Sequence, residues 1–490
     1  MDRSAGLRRF AFSLLLLVLA AGIGCAKPAA EGKIPVTTSS EDARKEFLAG
    51  QTLADNLQLT SSLEHFDRAI AKDPGFATAY LNRANASATA SEFFDNLKKA
   101  VELAPKVSEG ERLLILANDA GAAAQAQKQR DFLEKLVTLF PNDERARFAL
   151  GGYYFGRQEY TAAIGQYTKA LEIAPNFPPV YNILGYAYRQ VESYTEAEKV
   201  FKKYTELIPE NPNPYDSYAE LLLKIGKFDE SIASYKKALS LDPKFVASYS
   251  GIAMNYMQKG DHKEAQNAAD KITDLARNDG EKRLALFVKS VIHSDAGEWE
   301  QALKQLDDEL AIAKKNNDLG SMSADLAAKG TILQEMGRFD DARETFVRSL
   351  DLTEKSNVPA DVKENARLFH HFNLATIAIG RKDLAVARAE AEQFRKGVAL
   401  SRNPNQSRLT HELAGMIALA EKQYDAALNE LGQANLQNPY NHYRLGLAYA
   451  GKGDKSNAKA HFEKAAHSNG LPGLNMAFVR RKAAEAASKS

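Results

Sequence analysis

From about residue 140 onward, apolar residues recur at i, i+3, i+4 and i+7, the period of a helix with one buried stripe. The periodic segments are punctuated by Pro141, Pro175, Pro209 and Pro243, each 34 residues after the last. Between two such prolines there is room for two helices of three to four turns and a turn to join them. The pattern therefore predicts antiparallel pairs whose stripes face each other. One unit reads Leu150-Gly151, Tyr154, Ala163, Tyr167, Ala170 and Pro175; the next reads Leu184-Gly185, Tyr188, Ala197, Phe201, Tyr204 and Pro209. Glycine and alanine stand where two backbones approach, and Tyr and Phe fill the space between pairs. The prolines fall past the second helix, where no amide donor is needed.

Those positions resemble, one by one, the Leu-Gly, Tyr, Ala, Phe, Ala and Pro positions of the tetratricopeptide repeat family. The resemblance implies an all-α fold, a right-handed superhelical solenoid of antiparallel helix pairs, with a concave face lined by the first helix of each pair. Carried outward in the same register, it places units near residues 43–76, 77–107 and 110–143 before the regular stretch. Units at 246–279, 283–318, 323–357, 364–400, 408–441 and 442–468 follow. The units between 280 and 407 run longer than the 34-residue template. Leu474 to Ser490 reads as a capping helix, apolar inward and, through Arg480-Arg481-Lys482, basic outward.

The chain before the first unit has a different pattern. Arg8-Arg9 is followed by an apolar run from Phe10 to Ile23, which is short of the roughly 20 residues a membrane span needs and reads as an export signal. Cys25, the one cysteine of the chain, comes directly after it. This placement resembles the lipobox of bacterial lipoproteins, although Gly22 stands where that family has Leu, Val or Ile. The implied organisation is a signal peptide over 1–24 and a lipidated N-terminus with a flexible tether over 25–42. Repeats follow over 43–279, with longer irregular repeats over 280–407. Further repeats fill 408–468, and 469–490 is a cap and tail. The expected location is the periplasmic face of a bacterial membrane, with Ala26 pointing to the outer membrane, against the alternative of a soluble secreted protein.

Charge then removes several function classes. The chain of 490 residues carries 64 basic and 63 acidic residues. Without the three arginines and one aspartate of the first 24 residues, 61 face 62. That balance leaves no basic excess for nucleic-acid binding. Gly446 to Gly453 imitates a phosphate-binding loop, but Gly453 stands where Ser or Thr would hold Mg²⁺, so no nucleotide is expected. His411-Glu412 opens a zinc-protease motif that Gly415 fails to close, and the adjacent His370 and His371 point about 100° apart on a helix. No metal, cofactor or catalytic residue is expected, and Trp299 reads as packing.

What remains is a protein-binding scaffold. In the resembled family the inward positions of the first helices line the groove. On this sequence those positions are Arg145 and Phe155, then Asn182, Tyr186 and Arg189, Asp216 and Glu220, and Met254 and Met257. The set predicts an extended or helical partner segment with apolar anchors; if that groove is not the one used, the C-terminal repeats around Tyr443 and Arg444 are the alternative. The competing reading is an accessory or sensory module of a signalling, polysaccharide or pilus secretion system.

Overall fold

The computed structural model describes residues 32–87, 90–123, 125–358, 360–401 and 404–490. Cys25 and the apolar run before it lie outside them. Among the described residues the regular structure is entirely helical. It forms two compact units, one ending at Asp143 and one made of Glu144–Ser490 together with Asp55–Leu57. The boundary falls inside the stretch 43–279 that periodicity treats as one array.

The first unit has three helix pairs: α1 (Glu41–Asp55) with α2 (Leu59–Lys72), α3 (Ala77–Asn85) with α4 (Ala90–Leu103), and α5 (Glu109–Ala122) with α6 (Ala126–Leu139). The second opens with four regular pairs. These are α7 (Glu144–Gly156) with α8 (Tyr160–Ile173), α9 (Pro178–Gln190) with α10 (Tyr194–Leu207), α11 (Pro212–Lys224) with α12 (Phe228–Leu241), and α13 (Val246–Gln258) with α14 (His262–Leu275). Three longer pairs follow: α15 (Asp279–Ala296) with α16 (Trp299–Lys315), α17 (Leu319–Glu335) with α18 (Phe339–Lys355), and α19 (Ala360–Gly380) with α20 (Leu384–Ser401). Then come α21 (Pro404–Ala420) with α22 (Tyr424–Gln433), α23 (Pro439–Gly451) with α24 (Lys455–Ala466), and the single helix α25 (Leu474–Lys489).

Local chemistry accounts for the pairing. Pro141, Pro175, Pro209 and Pro243 each stand two residues past the end of a second helix, where a missing N–H costs nothing. Each of the four regular pairs turns through one left-handed residue, Gln158, Glu192, Gly226 or Gly260, again 34 apart. Close approach within a pair follows a second rule, a glycine sixteen residues before a ring. A Cβ added to Gly50, Gly151, Gly185, Gly330 or Gly446 would lie 2.4–2.8 Å from Phe66, Tyr167, Phe201, Phe346 or Phe462 respectively. The glycine makes the hole and the ring fills it.

In the first unit, residues 32–40 have no helix, as expected of the stretch read as a tether, but they are held in place. The backbone N–H groups of Ile34, Thr37 and Ser39 donate to the carboxylates of Asp143, Glu111 and Asp73 at 2.9, 2.8 and 2.8 Å. The Thr38 hydroxyl also donates to Asp73, at 2.5 Å. Burial works to raise the Asp73 pKa, and the hydrogen bonds from Thr38, Ser39 and Gly75 outweigh it, leaving the carboxyl below its ordinary value.

In the second unit the first helices of neighbouring pairs touch, α9 with α11, α11 with α13, α13 with α15, α19 with α21 and α21 with α23. Second helices of neighbouring pairs make far less contact, so the unit curves with its first helices inside. The curvature accumulates until late pairs meet early ones. Gln437 donates to the Gln190 carbonyl at 2.8 Å, and Arg408 donates to the Gln158 side chain at 3.1 Å.

The expectation for α25 needs correction. Its apolar residues do turn inward and Arg481 and Lys482 stay exposed as expected, but Arg480 is half-buried, and all three bond to other helices of the protein. Met476, Ala477, Phe478 and Val479 are all buried, and four consecutive helical residues span the whole circumference. This turn of α25 is therefore enclosed on every side. It packs on α23 and α24, and also on α15 and α17, so it does more than shield the neighbouring pair.

Candidate partner-binding face

The first-helix positions of α9 and α11 come together as one hydrogen-bonded network. Asn182 accepts from the Ser217 hydroxyl at 3.1 Å, and the Tyr186 hydroxyl donates to Ser217 at 3.2 Å. Arg189 donates to Glu220 at 3.0 Å and lies 4.7 Å over the Tyr186 ring. Asp216 accepts from Ser248 of α13 at 2.6 Å. Burial raises the Asp216 carboxyl to a pKa of about 7 against that hydrogen bond, with nearby Glu220 adding to the rise. Burial also raises Glu220 and Tyr186 and lowers Lys224. Arg145 lies 4.9 Å over the Phe177 ring, and Phe155 packs edge-on to Tyr160 at 5.4 Å.

Met254 and Met257 differ from expectation. Both are wholly buried, in one cluster with Met476 and Ala477 of α25. Exposed anchors were expected there, and both side chains instead lie in the core that α11–α15 share with α25. Tyr186 and Arg189 are likewise committed to internal partners, so replacing them disturbs packing as well as surface.

The basic triplet explains how α25 is held. Arg480 donates to the carbonyls of Met257 and Gln258 at the end of α13, both at 3.3 Å, and pairs with Asp295, a carboxylate with 0% exposure. Arg481 donates to the Ala296 carbonyl, the last of α15, at 3.0 Å. Lys482 pairs with Glu335, the last residue of α17. Three successive cations thus meet the carbonyl ends of three successive first helices, where the macrodipole favours positive charge. Phe478 completes the seat 5.8 Å from Trp299, which fixes the tryptophan as packing.

Beside this seat, between α17, α19, α21, α23 and α25, a cavity of about 330 Å³ remains. It is lined by Phe346, Phe369, Phe372 and Phe478 together with the polar Glu412, Arg444, Asn373 and Asn438. Arg444 donates to Glu412 at 2.6 Å and to Asn441 at 2.8 Å, and Asn441 donates to Glu412 at 3.0 Å. Tyr440 donates to Glu335 at 2.5 Å, and burial followed by the Glu335 charge raises its pKa.

Family models described as tetratricopeptide or TPR repeats match residues 116–178, 178–211, 219–260, 246–279 and 439–467. These segments are tetratricopeptide repeats. Solved structures with similarity include "Crystal structure of MamA protein", 20% identical over 34% of this chain and 91% of that one, TM-score 0.31. "MamA 41-end from Desulfovibrio magneticus RS-1" is 18% identical over 35% and 96%, TM-score 0.32. "Crystal structure of APC/C hetero-tetramer Cut9-Hcn1" is 17% identical over 90% and 76%, TM-score 0.41. No curated protein matches the chain.

Within the repeats the motif-like stretches have structural partners. His411 and His371 each bond a glutamate nineteen residues on, Glu430 and Glu390, both at 2.7 Å. His65 and Glu46 repeat the spacing in reverse at 2.9 Å, so it is a cross-pair bond of the repeat. Gly446 lies under Phe462, and Gly453 is the left-handed turn residue of its repeat. Among the described residues no group of three or more His, Cys, Asp or Glu is placed to hold a metal ion. None of the described helices is long and apolar enough to cross a membrane. Sequence reasoning named Arg444 as the alternative seat, read Glu412 only within an incomplete metal motif and missed Tyr440 and Asn373; the signal available was that they occupy first helices.

Proposed function

We propose that the chain is a non-enzymatic scaffold that binds other proteins on the first-helix face of its repeats, from the periplasmic side of a bacterial membrane. Helical repeats of this type are protein–protein interaction modules. The seat of α25 carries the reading, since this face holds a helix by apolar side chains and helix-end charges, the way an incoming helix is held in a groove. The adjoining first-helix positions Asn182, Tyr186, Arg189, Asp216 and Glu220 continue the same face with polar groups, of which Asp216 is buried.

Attachment rests on Cys25, placed directly after an apolar export segment and carrying the lipid in this reading. The tagged protein is purified from detergent-solubilised membranes, and its co-purifying proteins are compared with those of Asn182→Arg, which projects a long cation onto the face. Selective loss of the same proteins at unchanged helicity supports the binding face, and full recovery refutes it. Cys25→Ser should move the protein into the soluble periplasmic fraction, and unchanged membrane association refutes the anchor.

A further inference from the structure

The cavity between α17, α19, α21, α23 and α25 has a composition that selects a ligand. Its volume, about 330 Å³, lies at the small end of the roughly 300–1,000 Å³ typical of sites that enclose small ligands. The charges around it are two of each sign, and they are spent on one another. Glu412 is bonded by Arg444 and Asn441, and Glu335 by Tyr440 and Lys482. A charged guest would have to break one of these pairs and leave its partner without compensation.

Neutral recognition groups remain. Asn373 and Asn475 line the cavity, and neither side chain has a hydrogen-bond partner among the described residues. A carboxamide offers both a donor and an acceptor, which complements a peptide bond. Phe346, Phe369, Phe372 and Phe478 line the same cavity, and Phe369 keeps 36% of its surface exposed although it packs 6.3 Å from Phe372. An exposed ring beside unused amides suits a flat apolar group attached to backbone, and ring pairs favour aromatic over aliphatic guests.

We propose that this cavity receives an aromatic side chain of a partner protein, with the amides beside that side chain bonded by Asn373 and Asn475. The proposal rests on the reading that the repeats bind proteins, and it names the chemistry of the anchor. It places the anchor on the open stretch of the face beside α25, so entry does not require α25 to leave. Because α25 supplies Asn475 and Phe478, the docked helix completes the site.

The test uses the full chain and two neutral probes, N-acetyl-L-phenylalaninamide and N-acetyl-L-tryptophanamide, titrated by saturation-transfer NMR. N-acetyl-L-lysinamide and N-acetyl-L-glutamic acid amide serve as charged comparisons. Saturable binding of the aromatic probes is expected with Kd on the order of 1 mM, the range open to so few atoms. Asn373→Ala and Phe369→Ala should each weaken it at least fivefold, and the charged probes should bind at least tenfold more weakly. Phe369 and Asn373 share one face of α19, so circular dichroism of each variant separates loss of the site from a local folding defect. Absence of saturation up to 20 mM, equal binding of the charged probes, or indifference to both substitutions overturns the proposal. Intact probe binding in a protein that captures no partner would instead refute the scaffold reading and leave the aromatic site standing.

Discussion

Gly151 and Gly152 are neighbours in the middle of α7, and the structure assigns opposite signs to the same substitution at the two positions. Alanine in place of glycine inside a helix gains about 1 kcal/mol from propensity, and that gain is common to both. At Gly152 an added Cβ meets nothing within 4 Å, so Gly152→Ala should stabilise by about 1 kcal/mol. At Gly151 the same atom would lie 2.4 Å from Cε1 and 2.6 Å from Cδ1 of Tyr167. Overpacking of this kind costs about 1–3 kcal/mol. The ring has few escapes, because it is wholly buried and packed with Phe148, Phe177 and Val180. Tyr235 shows the alternative: it follows Ala219 by sixteen residues and leans onto Gly251, sixteen further on, where a Cβ would lie 2.0 Å from it. The corresponding position after Tyr167 is Ile183, which leaves no such space. The clash therefore falls toward the upper end, and Gly151→Ala should lose about 1–2 kcal/mol net. Because repeat arrays unfold piecewise, the assay is hydrogen exchange of the α7 and α8 amides, supported by urea unfolding. Tyr167→Leu, the arrangement Leu431 already makes under Gly415, should remove most of the Gly151→Ala penalty. Equal stabilisation by both alanines would refute the claim that the glycine sets the spacing of the pair.

Three further outcomes follow from the same geometry. Arg480→Met leaves the buried Asp295 with only His262, 2.8 Å away, and should cost roughly 3 kcal/mol, read as faster exchange in α25; Asp295→Asn in the same chain should restore much of it, and unchanged α25 protection would count against the seat described. Asp216 holds its proton in the folded state up to about pH 7 against 3.8 for the ordinary group, so it favours folding below pH 4 and loses that contribution as pH rises from 4 to 7. Asp216→Asn should flatten that part of the stability–pH curve, and an identical slope in wild type and variant would contradict it. His442, lowered to about 4 by burial and then by His461, has the opposite sign: its contribution is lost as pH falls from 6.5 through 4, and His442→Gln should remove that acid-side loss in urea titrations.

Local features are legible in the sequence. The pairs, their prolines, the left-handed turn residue and the glycine sixteen before a ring all involve residues within one or two repeats. Their spacing is written along the chain, because each repeat buries its stripe against its immediate neighbour. The position of α25 follows from long-range closure of the array. Arg480 meets Asp295 at a separation of 185 residues, a contact that no repeat-to-repeat rule encodes. It depends on small rotations summed over many pairs, and the longer helices α15–α20 alter that sum. The same closure gathers Asn373, Glu412 and Asn475 around one cavity. The period fixes which residues face inward, but whether an inward face meets solvent, a partner or the chain's own helix depends on how far the array turns.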